Sequence, residues 1–300
     1  MTGRNPLSIS EDVRNRPIGV FDSGIGGLTV LREIWSALPN ESTVYFGDSG
    51  RYPYGTKSHD TIVQYSIQNM RFLLSQNVKM IVIACNSAGA HAHGEVRRRA
   101  GVPVVEVITP GAEQAVKETR NGRIGIIATH ATVSSGLYSE AVREAADRLI
   151  AAGENREALS TLSIEQVACP LFVSLAEEGY WHQPATRLIA EDYLAGLKEE
   201  GVDVLVLGCT HYPLLSEVIG EVMGTRTTLI NSGASVARRV QNTLSEHNLI
   251  RTDSSPSSHR FYTSDDPIMF EQRATPFLGG GRPSGTLYVA ADSFAEGVRS

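Results

Sequence analysis

Short apolar runs alternate with longer helix-like stretches along most of the chain, and this alternation constrains the fold more than any other feature. Such runs are typical of strands buried on both faces of a parallel sheet, with crossover helices between them. The sequence therefore predicts an α/β fold with doubly wound, parallel-strand sheets. The expected strands cover residues 17–21, 43–46, 80–84, 104–107, 124–128, 163–167, 204–207, 228–230, 260–263 and 286–289. The clearest expected helices cover residues 28–37, 61–75, 139–151 and 184–200.

The length of the chain fits either one large α/β domain or two domains of ordinary size. It has 300 residues, of which 41% are hydrophobic, and this is enough to build real cores. Two similar apolar segments begin near residues 18 and 124. They favour two similar lobes that meet at a cleft, although buried α/β strands often look alike. We expect a first lobe from residues 17–110 plus about 225–278, a second lobe from 111–224, and an N-terminal extension over 1–16.

Composition and charge narrow the class of protein. The net charge of −6, without a long basic block, argues against a general role in binding nucleic acid. No apolar run approaches the ~20 residues that span a bilayer, and the polar N-terminus lacks the apolar segment of a signal peptide. Three cysteines without a CxxC pair argue against a disulfide framework and a structural zinc site, and they favour a reducing cytoplasm.

Two cysteines occupy matching places in the pattern. Cys85 follows the apolar run 80–84, and Cys209 follows the run 204–208. Because the carboxyl ends of parallel strands line the ligand crevice of a doubly wound sheet, we expect these thiols to face one pocket from opposite sides. Two opposed proton carriers around one carbon are what an inversion of stereochemistry needs. A helix that starts beside each thiol is expected to lower its pKa, whereas the alternative is a buried, inert side chain, which is the favoured interpretation of Cys169.

Other polar residues lie close to these cysteines in the sequence. His211 is two residues after Cys209. The two residues could be the nucleophile and base of a hydrolase or amidotransferase, or His211 could assist proton transfer by the thiol. The neighbours Glu177 and Glu178 form either a solvated helix end or a support that orients the histidine.

A glycine-rich turn and an aromatic loop follow the first two expected strands. Asp22 and Ser23 begin the turn, where they either cap a helix or face the pocket. Thr29 occupies the third glycine position of a dinucleotide fingerprint, so that kind of binding is disfavoured. The loop that contains Tyr54 and Gly55 is equally well explained as a binding loop or as a structural one.

These motifs together point to a known family. They are residues 19–30 (GVFDSGIGGLTV), Asp48 with residues 52–55 (YPYG), residues 84–88 (ACNSA) and residues 208–214 (GCTHYPL). With these motifs in this order, from about residue 17 to about residue 278, the chain resembles the glutamate racemases of the cofactor-independent aspartate/glutamate racemase superfamily.

The resemblance implies interconversion of L- and D-glutamate by two bases, without metal or pyridoxal phosphate. Cys85 would act on D-glutamate and Cys209 on L-glutamate, with help from Asp22 and His211. Glu178, with its neighbour Glu177 as the alternative, would support the histidine. The implied substrate contacts are Asp22, Ser23, Tyr54, Gly55, Asn86, Ser87, Thr132, Thr210 and His211.

The resemblance also implies a cellular role and partners. Family members supply D-glutamate for peptidoglycan in the cytoplasm and are commonly homodimers. Ser87 stands where the family usually has threonine, and Ser174 where proline is common. Two other functions remain open: a related racemase of aspartate or hydantoins, and a regulatory binding protein. Some glutamate racemases are reported to inhibit DNA gyrase, but the sequence reveals no gyrase-binding surface.

Overall fold

The computed structural model describes residues 11–154 and 156–295 and shows an α/β protein. Within these residues every expected strand is present, and no strand end differs from the expected one by more than one residue. The strands are β1 (Ile18–Asp22), β2 (Thr43–Gly47), β3 (Met80–Ile83), β4 (Val104–Glu106), β5 (Arg123–Ala128), β6 (Ser163–Ala168), β7 (Val204–Gly208), β8 (Thr228–Ile230), β9 (His259–Thr263) and β10 (Leu287–Tyr288).

Helices connect most of these strands, and the four clearest expected helices correspond to α2, α3, α7 and α10. The helices are α1 (Glu11–Asn15), α2 (Leu28–Ala37), α3 (His59–Ser75), α4 (Asn86–Arg99), α5 (Ile108–Glu118), α6 (His130–Ser134), α7 (Leu137–Ala151), α8 (Arg156–Leu159), α9 (Leu171–Glu177), α10 (Pro184–Glu199), α11 (Ser216–Met223), α12 (Ser232–Glu246) and α13 (Pro267–Ala274). Among the described residues, no helix combines the length and the apolar character needed to cross a membrane.

The strands form two sheets in which every pairing is parallel. One sheet has six strands in the order β10-β9-β2-β1-β3-β4, and the other has four in the order β6-β5-β7-β8. Asp22 at the end of β1 is level with Gly47 at the end of β2, and Ala128 at the end of β5 is level with Gly208 at the end of β7. The carboxyl ends of neighbouring strands therefore lie side by side in each sheet.

Apolar side chains cover both faces of each sheet, which explains the near-continuous apolar runs in the sequence. In β1, Val20 packs in a cluster that contains residues of both sheets, whereas Phe21 packs in a cluster on the opposite face. In β7, Val206 joins the shared cluster and Leu207 packs on the opposite face, against α9 and α10. The shared cluster holds the two sheets against each other and so fixes the positions of their strand ends.

The C-terminal part of the chain returns to the six-stranded sheet, where β9 pairs with β2 and β10 pairs with β9. β8 pairs with β7 in the four-stranded sheet, so strand pairing favours a lobe boundary after Ile230 over one near residue 225. The exact lobe boundaries stay a prediction. Of the expected N-terminal extension, residues 1–10 lie outside the described part of the chain.

Candidate active site

The loops after β1, β2, β3, β5 and β7 meet around one cavity of about 320 Å³. Cys85 follows β3 of the six-stranded sheet, and Cys209 follows β7 of the four-stranded sheet. Both cysteines line this cavity and both are nearly buried. The structure thus brings together two thiols that are far apart in the sequence and come from different sheets.

Most of the other predicted site residues line the same cavity, namely Ser23, Tyr54, Gly55, Asn86, Ser87, Thr210 and His211. Asp22 and Thr132 do not line it, because both side chains are completely buried behind its wall. Glu178 does not line it either, because it follows the last residue of α9 and is exposed.

Cys85 lies at the N-cap of α4 in a buried position, and its thiol donates to the hydroxyl of Ser23 over 3.6 Å. Burial, followed by the nearby charge of Asp22, raises the pKa of Cys85 to about 12. The expectation that this thiol has a lowered pKa is therefore wrong, although a backbone hydrogen bond from Ala88, in the first turn of α4, acts in the expected direction. Loss of solvent outweighs the effect of the helix dipole here, so Cys85 rests as a protonated thiol.

Asp22 is a buried carboxyl next to Cys85. One of its oxygens, Oδ2, accepts a hydrogen bond from the backbone N–H of Gly24 over 2.8 Å, while Oδ1 has no hydrogen-bond partner among the described residues. Burial raises the pKa of Asp22, and the charge of His211 opposes that rise. A buried carboxyl with an unused oxygen near a thiol is suited to exchange a proton.

The surroundings of Cys209 differ, because a histidine and a carboxylate stand beside it. The Sγ atom of Cys209 lies 3.8 Å from Nδ1 of His211, and Nε2 of His211 lies 2.9 Å from Oε1 of Glu177. Burial lowers the pKa of His211, but its bonds to Cys209 and Glu177 outweigh burial and raise that pKa to about 10. His211 is therefore an imidazolium at neutral pH.

The partner of His211 corrects one prediction from the sequence. Glu177, the last residue of α9, contacts the imidazole, whereas Glu178 follows the end of the helix and is exposed. Burial raises the pKa of Glu177, but the hydrogen bond and the charge of His211, together with smaller contributions from Tyr52 and Arg273, outweigh burial and lower that pKa. Glu177 is therefore ionised and forms a nearly buried ion pair with His211.

Three hydroxyls form a cluster where the two sheets meet. The Oγ atom of Ser87 lies 3.0 Å from Oγ1 of Thr129 and 3.4 Å from Oγ1 of Thr132, and the two threonine hydroxyls are 3.1 Å apart. Next to them, the hydroxyl of Tyr138 donates to Oδ1 of Asn86 over 2.7 Å. That bond fixes the side-chain amide of Asn86 at the cavity wall and leaves its NH₂ group available to donate.

The loop after β2 forms another wall of the cavity. The hydroxyl of Tyr54 donates to Asp48 and accepts a hydrogen bond from Asn69 over 3.0 Å, so it is used within the protein. An added Cβ at Gly55 would lie 2.8 Å from Cβ of Thr129. Glycine is therefore needed at this position for the close contact between the two sides of the cavity.

A larger cavity, of about 710 Å³, lies elsewhere and contains neither of these thiols. Its wall includes Arg97, Arg98 and Arg239. The third cysteine, Cys169, lines neither cavity, and burial raises the pKa of its thiol to about 12. In residues 11–154 and 156–295, no group of three or more His, Cys, Asp or Glu side chains is arranged to hold a metal ion.

Comparisons with known proteins agree with this geometry. The family model described as Asp/Glu/Hydantoin racemase matches residues 18–246. The chain belongs to this racemase family. The glutamate racemase of Geobacter metallireducens is 45% identical over 265 residues, which are 88% of this chain and 93% of that protein.

Solved structures of glutamate racemases are similar to this chain over most of its length. Glutamate racemase from Francisella tularensis, in complex with D-glutamate, is 37% identical with a TM-score of 0.83, and the match covers 93% of this chain and 99% of that one. The glutamate racemase isoform RacE1 from Bacillus anthracis is 34% identical with a TM-score of 0.82, over 92% and 98% of the two chains.

Within this racemase fold, sequence reasoning missed several residues of the cavity wall, among them Thr129 and Tyr52. Thr129 directly follows β5, so the rule that drew attention to the cysteines after β3 and β7 would also have found it. Tyr52 belongs to a loop whose role the sequence left open, and only the structure shows its ring beside His211.

Proposed function

We propose that this protein is a glutamate racemase that interconverts L- and D-glutamate with two thiols and no cofactor. The observation that carries the proposal is the shared cavity lined by Cys85 and Cys209, one from each sheet. The relatives reported above are glutamate racemases, and the Francisella protein was solved with D-glutamate. These relatives support glutamate as the substrate.

In the proposed reaction a thiolate removes the α-proton from one face of the substrate. The electron pair of the broken C–H bond stays on the α-carbon and its carboxylate. The opposite thiol then gives its proton to the other face, so the configuration inverts. Cys209 acts as the base on L-glutamate and Cys85 as the base on D-glutamate. Each turnover moves one proton off and one proton on, so no co-reactant is needed.

The protonation state of Cys85 at rest fits a reaction that starts from L-glutamate. Cys85 is the protonated partner, because its pKa is about 12. On the other side His211, held by Glu177, has its Nδ1 atom 3.8 Å from Sγ of Cys209, so it is the group placed to exchange a proton with that thiol. For the reverse direction Cys85 must lose its proton, and Asp22 is the group placed to receive it.

Binding has to stabilise the charge that develops on the α-carboxylate of the substrate. We assign this role to the donors of Ser23, Asn86, Ser87 and Thr210, joined by Thr129, because all of them line the thiol cavity. Asn86 and Ser87 also open α4, where backbone N–H groups favour negative charge. Thr132 supports this set from behind through its hydroxyl contact with Ser87.

The proposed cellular role follows from the family. D-glutamate made in the cytoplasm would enter peptidoglycan, and the enzyme would work as a homodimer. A DNA gyrase interaction belongs to the alternative of a regulatory protein, and no observation on this chain favours it.

The test is circular dichroism of L-glutamate in D₂O, with the protein freed of metal by EDTA and without pyridoxal phosphate. We expect the optical signal to fall to zero while the α-position takes up deuterium. Cys85→Ala and Cys209→Ala should each abolish racemisation, and Cys169→Ala is the matched control that should retain it. Normal racemisation by either of the first two variants, or faster racemisation of aspartate than of glutamate, contradicts the proposal.

A further inference from the structure

Aromatic rings enclose the imidazole of His211. Tyr52, in the loop between β2 and α3, places its ring over the imidazole with the ring centroids 6.0 Å apart and the planes inclined by 32°. Phe277 contacts the imidazole edge-on, with centroids 5.2 Å apart. The two ring nitrogens remain free to face Cys209 and Glu177. The position of His211 therefore depends on aromatic packing as well as on its polar partners.

Tyr52 and Glu177 also form a partition between two cavities. Both residues line the thiol cavity, and both line a neighbouring cavity of about 370 Å³. That second cavity is lined by charged side chains, among them Asp265, Asp266 and Arg273. Such a cavity favours water. Glu177 already lines it and His211 does not, so the partition decides whether water reaches the imidazole of His211 from this side.

The phenol of Tyr52 acts on the carboxylate of Glu177. Burial, followed by the charge of Glu177, raises the pKa of Tyr52, so the phenol keeps its proton and acts as a donor. Tyr52 is one of the groups whose hydrogen bonding lowers the pKa of Glu177. Space for the ring depends on Gly24, because an added Cβ there would lie 3.2 Å from Cδ2 of Tyr52.

We propose that Tyr52 is a positioning residue, which holds the His211–Glu177 pair toward Cys209 and shields the imidazole of His211 from water in the neighbouring cavity. The kinetic part of this inference rests on the proposed function, whereas the titration of His211 does not. The hydroxyl and the ring have separate tasks: the hydroxyl orients the carboxylate, and the ring closes the partition.

Removal of the Tyr52 ring should lower the pKa of His211. The charged and titratable groups that face its ion pair are Cys209, Glu177, Asp22, Tyr52 and, through Glu177, Arg273. Water that enters through the opened partition screens these charges, which lowers the pKa of His211, and relieves its burial, which raises that pKa. Because the bonds and charges of Cys209 and Glu177 outweigh burial in the native protein, we expect the loss of their effect to dominate. The pKa of His211 should then fall from about 10 toward its ordinary value of about 6.5.

The experiment compares Tyr52→Ala, Tyr52→Leu and Tyr52→Phe with a matched control, Tyr180→Ala, whose tyrosine is 49% exposed. The histidine rings are labelled with ¹⁵N, and the signal of His211 is assigned by its loss in His211→Gln. Its titration is followed by NMR, and the pH profile of kcat/KM for glutamate is measured in parallel. Circular dichroism establishes that each variant is folded, and Tyr52→Leu replaces Tyr52→Ala if the alanine variant is not.

We expect His211 to titrate at least roughly one pH unit lower in Tyr52→Ala, with the basic limb of kcat/KM moving by the same amount. Tyr52→Phe keeps the ring, so its shift should be less than half as large, and Tyr180→Ala should match the wild type. An unchanged titration of His211 in a folded Tyr52→Ala or Tyr52→Leu protein overturns the inference. If the titration moves but the wild type does not racemise glutamate, only the proposed function fails.

Discussion

Replacement of Glu177 by glutamine removes the carboxylate charge from Nε2 of His211 and keeps the size of the side chain. The two groups are 2.9 Å apart, with side-chain exposures of 12% for Glu177 and 3% for His211. A hydrogen bond between charged groups contributes about 1.5–3 kcal/mol, which corresponds to roughly 1–2 pH units. The pKa of His211, about 10 in the native protein, should therefore fall by that amount in Glu177→Gln.

The change in pKa predicts how the stability of the variant depends on pH. The pKa of His211 is higher in the folded state than its unfolded value of 6.5, so the folded state binds the proton more tightly. The resulting stabilisation is fully present below about pH 6.5 and is lost as the pH rises through about 10. Glu177→Gln should cost about 1.5–3 kcal/mol at pH 7, and less than about 1 kcal/mol at about pH 10.5, where His211 is mostly neutral in both proteins.

Urea unfolding at pH 7 and at pH 10.5 measures this difference in the free energy of unfolding. The matched control is Glu178→Gln, because Glu178 is the next residue along the chain and is exposed. Its effect should stay within about 0.5 kcal/mol at both pH values. If Glu177→Gln destabilises the protein equally at both pH values, or no more than the control does, the carboxylate of Glu177 does not raise the pKa of His211 as described.

Further predictions concern close packing and the buried lysine. An added Cβ at Gly26 would lie 2.5 Å from Cε1 of His211, so Gly26→Ala should lower kcat/KM by on the order of 10²-fold in a racemisation assay. Gly94→Ala is the control, because its new methyl group meets no atom within 4 Å; thermal unfolding should show a gain of about 0.5–1 kcal/mol. Lys79 and Glu41 form a buried ion pair, so Lys79→Met should cost about 3–5 kcal/mol in urea while the activity of the folded enzyme stays unchanged.

Sequence patterns identified the strands and the two thiols because both depend on local order along the chain. Apolar runs such as residues 80–84 and 204–207 are buried on both faces of a parallel sheet, and their short length and alternation with helix-like stretches favour strands. A residue that directly follows such a run must lie at the carboxyl edge of a sheet. This rule predicts from the sequence alone that Cys85 and Cys209 lie at strand ends, as the structure shows.

Other features depend on contacts that no local pattern encodes. Which of Glu177 and Glu178 contacts His211 depends on how α9 is rotated about its own axis. The direction of the side chain changes by about 100° from one residue to the next. The high pKa of Cys85 depends on burial and on Asp22, so the helix start alone gave the wrong sign. The ring contact between Tyr52 and His211 joins residues from two different loops, so no local sequence pattern predicts it.

Solvent exchange by the two cysteine variants tests the two-thiol account most directly. Each variant keeps one base, so in D₂O it should exchange the α-proton of a single enantiomer for deuterium and leave its configuration unchanged. Cys85→Ala should label L-glutamate through Cys209, and Cys209→Ala should label D-glutamate through Cys85. Labelling of both enantiomers by one variant, or the opposite pairing of variant and enantiomer, would show that the thiols do not act on opposite faces of one bound substrate.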